Sequence, residues 1–198
     1  MSTKQSLYVF DVDGTITRDD SFLLLVKFVC PNVLRRYMIW LRASAVLPSA
    51  ILKGDYSKIK YRVLSLLFKN KRSGELDKTG LDFYNAVLST NIRSKANDYL
   101  INLSRESGSI VFLSASCEFW LKPLADAYNA TLISSKLEFK EGFFTGRLSG
   151  DNCKGEEKKR RLQAMFPADK YIFICFGNSA SDRKLEAISE AYHHDFFV

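Results

Sequence analysis

The 198-residue chain is 46% hydrophobic and 26% charged, an ordinary globular mixture that excludes extended disorder and gives enough length for one core plus a small inserted module. No apolar run reaches the roughly 20 residues that a bilayer-spanning helix needs, because Lys27 breaks Phe22–Cys30 and Arg42 and Pro48 break Tyr37–Leu52. The formal net charge is +7, and all of the excess lies between Thr17 and Thr90, where 13 Lys and Arg stand against 6 Asp and Glu. That asymmetry predicts an anionic partner for the segment: a phosphorylated substrate, an anionic membrane surface or nucleic acid. Cys30, Cys117, Cys153 and Cys175 form no CxxC pair, which argues against zinc and for free thiols in a reducing cytosol. The polar start, Met1–Ser6, leads straight into a strand-like run and predicts no signal peptide.

In chain order, Leu7–Asp11 (LYVFD) is a short apolar, β-prone run that reads as a buried strand. From Thr17 to Thr90 the pattern is helical instead, in four stretches: Ser21–Cys30, Val33–Leu47, Tyr56–Phe68 and Gly74–Leu88. Pro31, Pro48, Gly54 and Ser73–Gly74 separate them. Then come a helix over Ser94–Glu106, a strand over Ser109–Ser114, a helix over Glu118–Tyr128 and a strand over Ala130–Ser134. Leu137–Leu148, with Gly142 at its centre, reads as a hairpin. A helix over Glu156–Phe166, stopped by Pro167, precedes the strand Tyr171–Phe176. Apolar strands alternating with helices predict an α/β fold, a three-layer parallel sheet core covered on both faces. The small β-hairpin and an inserted α-helical cap are added to it. The division is a core of residues 1–16 and 91–198, with residues 17–90 as the cap.

Ligands of open parallel sheets bind beyond the carboxyl ends of the strands. The polar residues there are Asp11, Asp13 and Thr15, then Ser114 and Ser116, then Gly177, Asn178 and Asp182. Asp11-Val12-Asp13-Gly14-Thr15 resembles the DxDGT signature of the haloacid dehalogenase superfamily. Ser114 at a strand end resembles the second motif, Lys158 the third-motif lysine, and Gly177-Asn178-Ser179-Ala180-Ser181-Asp182 the fourth, acidic motif. All four occur in order. The helical insertion after the first motif resembles the cap of the phosphoserine-phosphatase-like branch.

The resemblance implies a Rossmann-like core and a phosphatase in which Asp11 is the nucleophile and an aspartyl-phosphate is the intermediate. Mg²⁺ is the implied cofactor, held by Asp11, Asp13 (through its carbonyl), Asn178 and Asp182. Asp13 is the implied general acid and base. Ser114 and the backbone around Gly14, Thr15 and Ala115 would hold the phosphoryl oxygens, and Lys158 would offset their charge. Lys154 competes with Lys158 for that role. Many members carry Asp where this chain has Asn178, so the choice between Asn178 and Asp182 as the direct ligand stays open. The same departure keeps a second reading alive, a weakly active or inactive fold that binds phosphorylated ligands or partners.

Arg35, Arg36, Trp40 and Arg42 form a basic, aromatic, amphipathic surface on the cap, suited to lipid headgroups. The plainer alternative is that the apolar residues form the cap's own core. The apolar cap, with Asn152-Cys153 and the GNSxxD ending, resembles phosphatidylglycerophosphate-phosphatase-like members. The expected substrate is therefore a phosphorylated metabolite or a lipid phosphate, with peripheral contact at the inner face of an anionic membrane. No recognised motif supports nucleic acid. His193 and His194 lie far from every motif and read as surface or strand-end residues.

Overall fold

The computed structural model describes residues 4–52, 57–106 and 108–198. Gly54 and Tyr56, the expected break and start of one cap helix, and Met1–Thr3 of the expected polar start lie outside the described residues. Strand β1 (Gln5–Phe10) is central in a five-stranded, all-parallel sheet, order β3-β2-β1-β6-β7, with β2 (Ser109–Cys117), β3 (Thr131–Ser135), β6 (Tyr171–Gly177) and β7 (Ala191–His194). Side chains alternate across a strand, so Leu7 and Val9 point to one face and Tyr8 and Phe10 to the other. The first face packs with Leu162 of α8 (Glu156–Met165). The second packs with Leu100 of α6 (Ser94–Arg105) and Leu124 of α7 (Glu118–Ala127). This gives the three layers. Because β1 is buried on both faces, its run is apolar without polar alternation, which is why it was legible.

Between β1 and α6 the chain forms α1 (Ser21–Val29), α2 (Val33–Ala43), α3 (Leu47–Leu52), α4 (Ser57–Phe68) and α5 (Ser73–Phe83). The side chain of Asp20 caps α1 by accepting from the Leu23 N–H (3.0 Å), and that of Asn32 caps α2 by accepting from Arg35 (2.9 Å). Helix α2 stops four residues before the expected Leu47, and a 3₁₀ turn over Ser44–Val46 leads into α3. Pro48 explains both facts. It has no N–H to give the Ser44 carbonyl, and it is tolerated because it falls in the first turn of α3. Helix α5 likewise ends early and continues as a π turn, Tyr84–Leu88, and a 3₁₀ turn, Ser89–Asn91. An antiparallel bridge between Thr17 and Ile92 ties the two connections between this helical block and the sheet.

The hairpin pairs β4 (Leu137–Lys140) with β5 (Phe143–Leu148). Glu141 and Gly142 both have positive φ, +52° and +81°, as a two-residue I′ turn requires. Its β5 lies against α4, where Gly146 leaves room for Ser65. Strand β7 has no counterpart in the sequence expectations. His193 and His194 belong to this edge strand; His193 stacks on Phe176 at 4.7 Å, and neither lines the cavity described next.

Candidate active site

A cavity of about 450 Å³ opens beyond the carboxyl ends of β1, β2 and β6. Asp11, Asp13, Ser114, Ala115, Lys158, Asn178 and Asp182 line its base. Asp20, Phe22, Trp40 and Lys60 reach it from the helical block. Asp11 directly follows β1, and its N–H donates to the Phe176 carbonyl (2.9 Å), locking it against β6. The chain then turns sharply at Gly14, where φ is +81°. A Cβ there would also overlap the Asn178 side-chain amide. Glycine is therefore needed twice, for the backbone conformation and for the close approach of the fourth-motif loop.

Lys158 projects from the first turn of α8, which begins after Gly155 in a conformation (φ +57°, ψ −121°) open to glycine. Its buried Nζ donates to Asp11 Oδ1 at 2.5 Å and to Asp182 Oδ1 at 2.6 Å. Lys154 also lines the cavity, but it is Lys158 that joins the two carboxylates. The other oxygen of Asp182 accepts from the Ser179 N–H (3.1 Å) and hydroxyl (2.5 Å). The other oxygen of Asp11 accepts only a longer bond from Thr15 Oγ1 (3.3 Å).

Those partners set the ionisation. Burial raises the pKa of Asp11, and the nearby charges of Asp182 and Asp13 add to this; Lys158 opposes them, and the balance is about 7. Burial also works against the Asp182 carboxylate, but Lys158 and the two Ser179 donors outweigh it and hold that group below the usual range. Burial disfavours the Lys158 charge, yet the flanking carboxylates prevail and lift its pKa.

Asp13 is held differently. Its Oδ1 accepts from the Ser21 N–H (2.7 Å), and its Oδ2 accepts from Ser116 Oγ (2.5 Å) and Ser114 Oγ (3.4 Å). Ser114 also accepts from the Ser116 N–H (3.0 Å). Lys60 of α4 donates to Ser116 Oγ (3.0 Å), with its ammonium 5.2 Å from the Phe22 ring and 5.6 Å from the Trp120 ring. The structure thus brings Asp11, Asp13, Ser114, Ala115, Lys158, Asn178 and Asp182 together, with Gly14 and Thr15 in the turn behind them. Sequence reasoning missed Ser116 as a partner of Asp13, Ser179 as a support of Asp182, and Lys60. For Ser179 the signal was its offset of three from Asp182, a turn spacing; for Lys60 there was none beyond the general basicity of the segment.

This chain belongs to the haloacid dehalogenase-like hydrolase family, whose model matches residues 8–185. Among curated proteins it is similar to Protein CicA of Caulobacter vibrioides, 25% identical over 203 residues that span all of this chain and 89% of the relative. A solved protein of unknown function from Bordetella pertussis Tohama I shares the fold with a TM-score of 0.80 at 20% identity, over 96% of this chain and 90% of that one. A phosphoserine phosphatase, solved as a phospho-aspartyl intermediate analogue, shares it with a TM-score of 0.63 at 14% identity, over 96% and 86% of the two chains.

Proposed function

We propose that the chain is a Mg²⁺-dependent phosphomonoesterase that works through an aspartyl-phosphate on Asp11, with residues 1–16 and 91–198 as its catalytic core and 17–90 as its cap. The observation that carries the reading is the buried ammonium of Lys158 shared between Asp11 and Asp182, in one cavity with Asp13 on its serine donors. In the first step a carboxylate oxygen of Asp11 bonds to phosphorus as the bond to the ester oxygen breaks, and protonated Asp13 gives its proton to that oxygen. In the second, Asp13, now a carboxylate, takes a proton from water, whose oxygen displaces Asp11 and releases phosphate. Ser114 and the backbone around Gly14, Thr15 and Ala115 orient the phosphoryl oxygens, and Lys158 stabilises their charge.

The donor set suits Mg²⁺, since it consists of hard oxygens. Asp11 and Asp182 flank one buried lysine, with Asp13 on its serine donors in the same cavity, and a divalent cation would offset the carboxylate charge that Lys158 alone does not balance. Among the described residues no three His, Cys, Asp or Glu side chains converge as a metal cage by themselves. The Asp13 carbonyl and the Asn178 amide oxygen would therefore complete the set with Asp11, with Asp182 as direct ligand or through water. When bound, the ion would screen the approach of carboxylate to phosphate.

The substrate proposed is a phosphorylated metabolite or a lipid phosphate such as phosphatidylglycerophosphate, handled at the inner face of an anionic membrane through the basic cap. Phe22, Leu23, Trp40 and Ile59 give the upper wall of the cavity an apolar part beside Asp20 and Lys60, which suits a lipid phosphate. Hydrolysis of an aryl phosphate with and without Mg²⁺, with Asp11→Asn as control, tests the chemistry. Release that needs Mg²⁺ and falls at least about a thousandfold in the variant is expected. Asn178, a neutral residue among the proposed metal donors, favours a second reading, a weakly active or inactive fold that binds phosphorylated ligands or partners; equal rates under all three conditions would favour it.

A further inference from the structure

On α2 the residues that pack inward are Arg36, Ile39, Trp40 and Ala43. The outward residues include five large apolar side chains. Val33 is 70% exposed, Leu34 71%, Tyr37 62%, Met38 45% and Leu41 52%. At about 100° per residue they occupy one continuous arc of roughly 140°. A face this broad and apolar is not explained by the cap's own core, because that core is on the other side of the helix. Arg35 and Arg42, both exposed, border the arc on one side.

Charge identifies the occupant. From Ser21 to Leu52 the chain carries Lys27, Arg35, Arg36 and Arg42 and no Asp or Glu. Apolar side chains bordered by arginines, without an acid in the whole stretch, match a surface with an anionic rim over a hydrocarbon interior. No helix among the described residues is long and apolar enough to cross a membrane, so contact here would be in the plane of the interface. Trp40, on the adjoining side of α2, lines the cavity. A bilayer on the arc would lie beside the cavity wall.

We propose that the outer face of α2, centred on Leu34, Tyr37 and Leu41, is a docking surface for an anionic lipid bilayer. This deepens the reading of the basic cap given above and names the residues that make the contact, but it does not require that the site be catalytic.

The test is co-sedimentation of the full chain with phosphatidylcholine vesicles that contain or lack phosphatidylglycerol, at low and high salt. Wild type should pellet with the anionic vesicles at low salt and bind pure phosphatidylcholine at least tenfold more weakly. The combined variant Leu34→Gln, Tyr37→Gln, Leu41→Gln should lose at least tenfold in binding, with its circular dichroism and its rate on a soluble aryl phosphate unchanged. Arg35→Ala with Arg42→Ala should lose about fivefold per arginine and most of the salt dependence. Asp11→Asn should bind vesicles as wild type does, so a failure of the phosphatase reading would leave this result standing. Wild type that stays in the supernatant at low salt, or a triple variant that pellets equally well, would overturn the proposal. So would a wild-type dimer in solution that the triple variant converts to monomer, since the face would then belong to a second copy.

Discussion

Asp11 and Asp182 share one ammonium group, yet their ionisation is displaced in opposite directions, because Asp182 has two further donors from Ser179 and Asp11 has almost nothing else. The consequence for stability has a definite sign. In the metal-free protein Asp11 titrates near 7, against 3.8 for an unperturbed group. Between those values the folded state holds a proton that the unfolded chain has released, so stability falls as pH rises through the window, by up to about 4 kcal/mol. Denaturation of chelator-treated wild type across this range should show the decline, and Asp11→Asn should lack it. Ser116 offers a second test at this scale. Its hydroxyl donates to Asp13 at 2.5 Å, so Ser116→Ala should lower kcat about tenfold or more while the melting curve moves little. An unchanged kcat would remove Ser116 from the support of Asp13.

Between elements, α5 packs backbone against backbone on α7 at Gly80. Pro123 lies inside α7 and has no N–H for the Phe119 carbonyl four residues back. Gly80 of α5 packs directly over that carbonyl, and a Cβ at position 80 would overlap it. Gly80→Ala should therefore cost about 3 kcal/mol, read by chemical denaturation, whereas the same change at Gly74, which faces open space, should cost nothing of that size. Gly80 could not be picked out in the sequence, since a helical glycine announces no contact. Strands β1, β2 and β6 were legible because burial on both faces leaves them continuously apolar. Strand β7, Ala191–His194, was not: it is four residues long, on the sheet edge, and ends in two histidines. The helix boundaries in the cap moved where proline and π or 3₁₀ turns broke the α pattern without breaking its hydrophobic spacing.

For the molecule as a whole, the four separated motifs gather at the same edge of one sheet: Asp11 and Gly177 stand at the ends of β1 and β6 and Lys158 in the first turn of α8, whereas Ser114 lies within β2, which runs on to Cys117 rather than ending at Ser114 as expected. What could not be read was which side chains the helical block contributes, since its packing angle over the sheet has no local code. Lys60 arrives at Ser116 across 56 residues of chain. The Mg²⁺ site proposed at the convergence of β1, β6 and α8 would link those elements thermodynamically. An excess of Mg²⁺ should raise the wild-type Tm measurably, about 2.7 kcal/mol of added stability at a hundredfold excess over Kd, and leave Asp11→Asn nearly unmoved. An equal rise in both would place the ion elsewhere.

The chain has two tryptophans, one in the cavity wall and one fully buried behind it. Trp40 forms part of its wall, and Trp120 lies against Phe22 and Lys60, which do the same. Intrinsic indole emission from this protein therefore comes entirely from around the pocket. A phosphorylated compound entering it should quench or shift the Trp40 share of the fluorescence, and ligand screening by optical titration would need no attached dye.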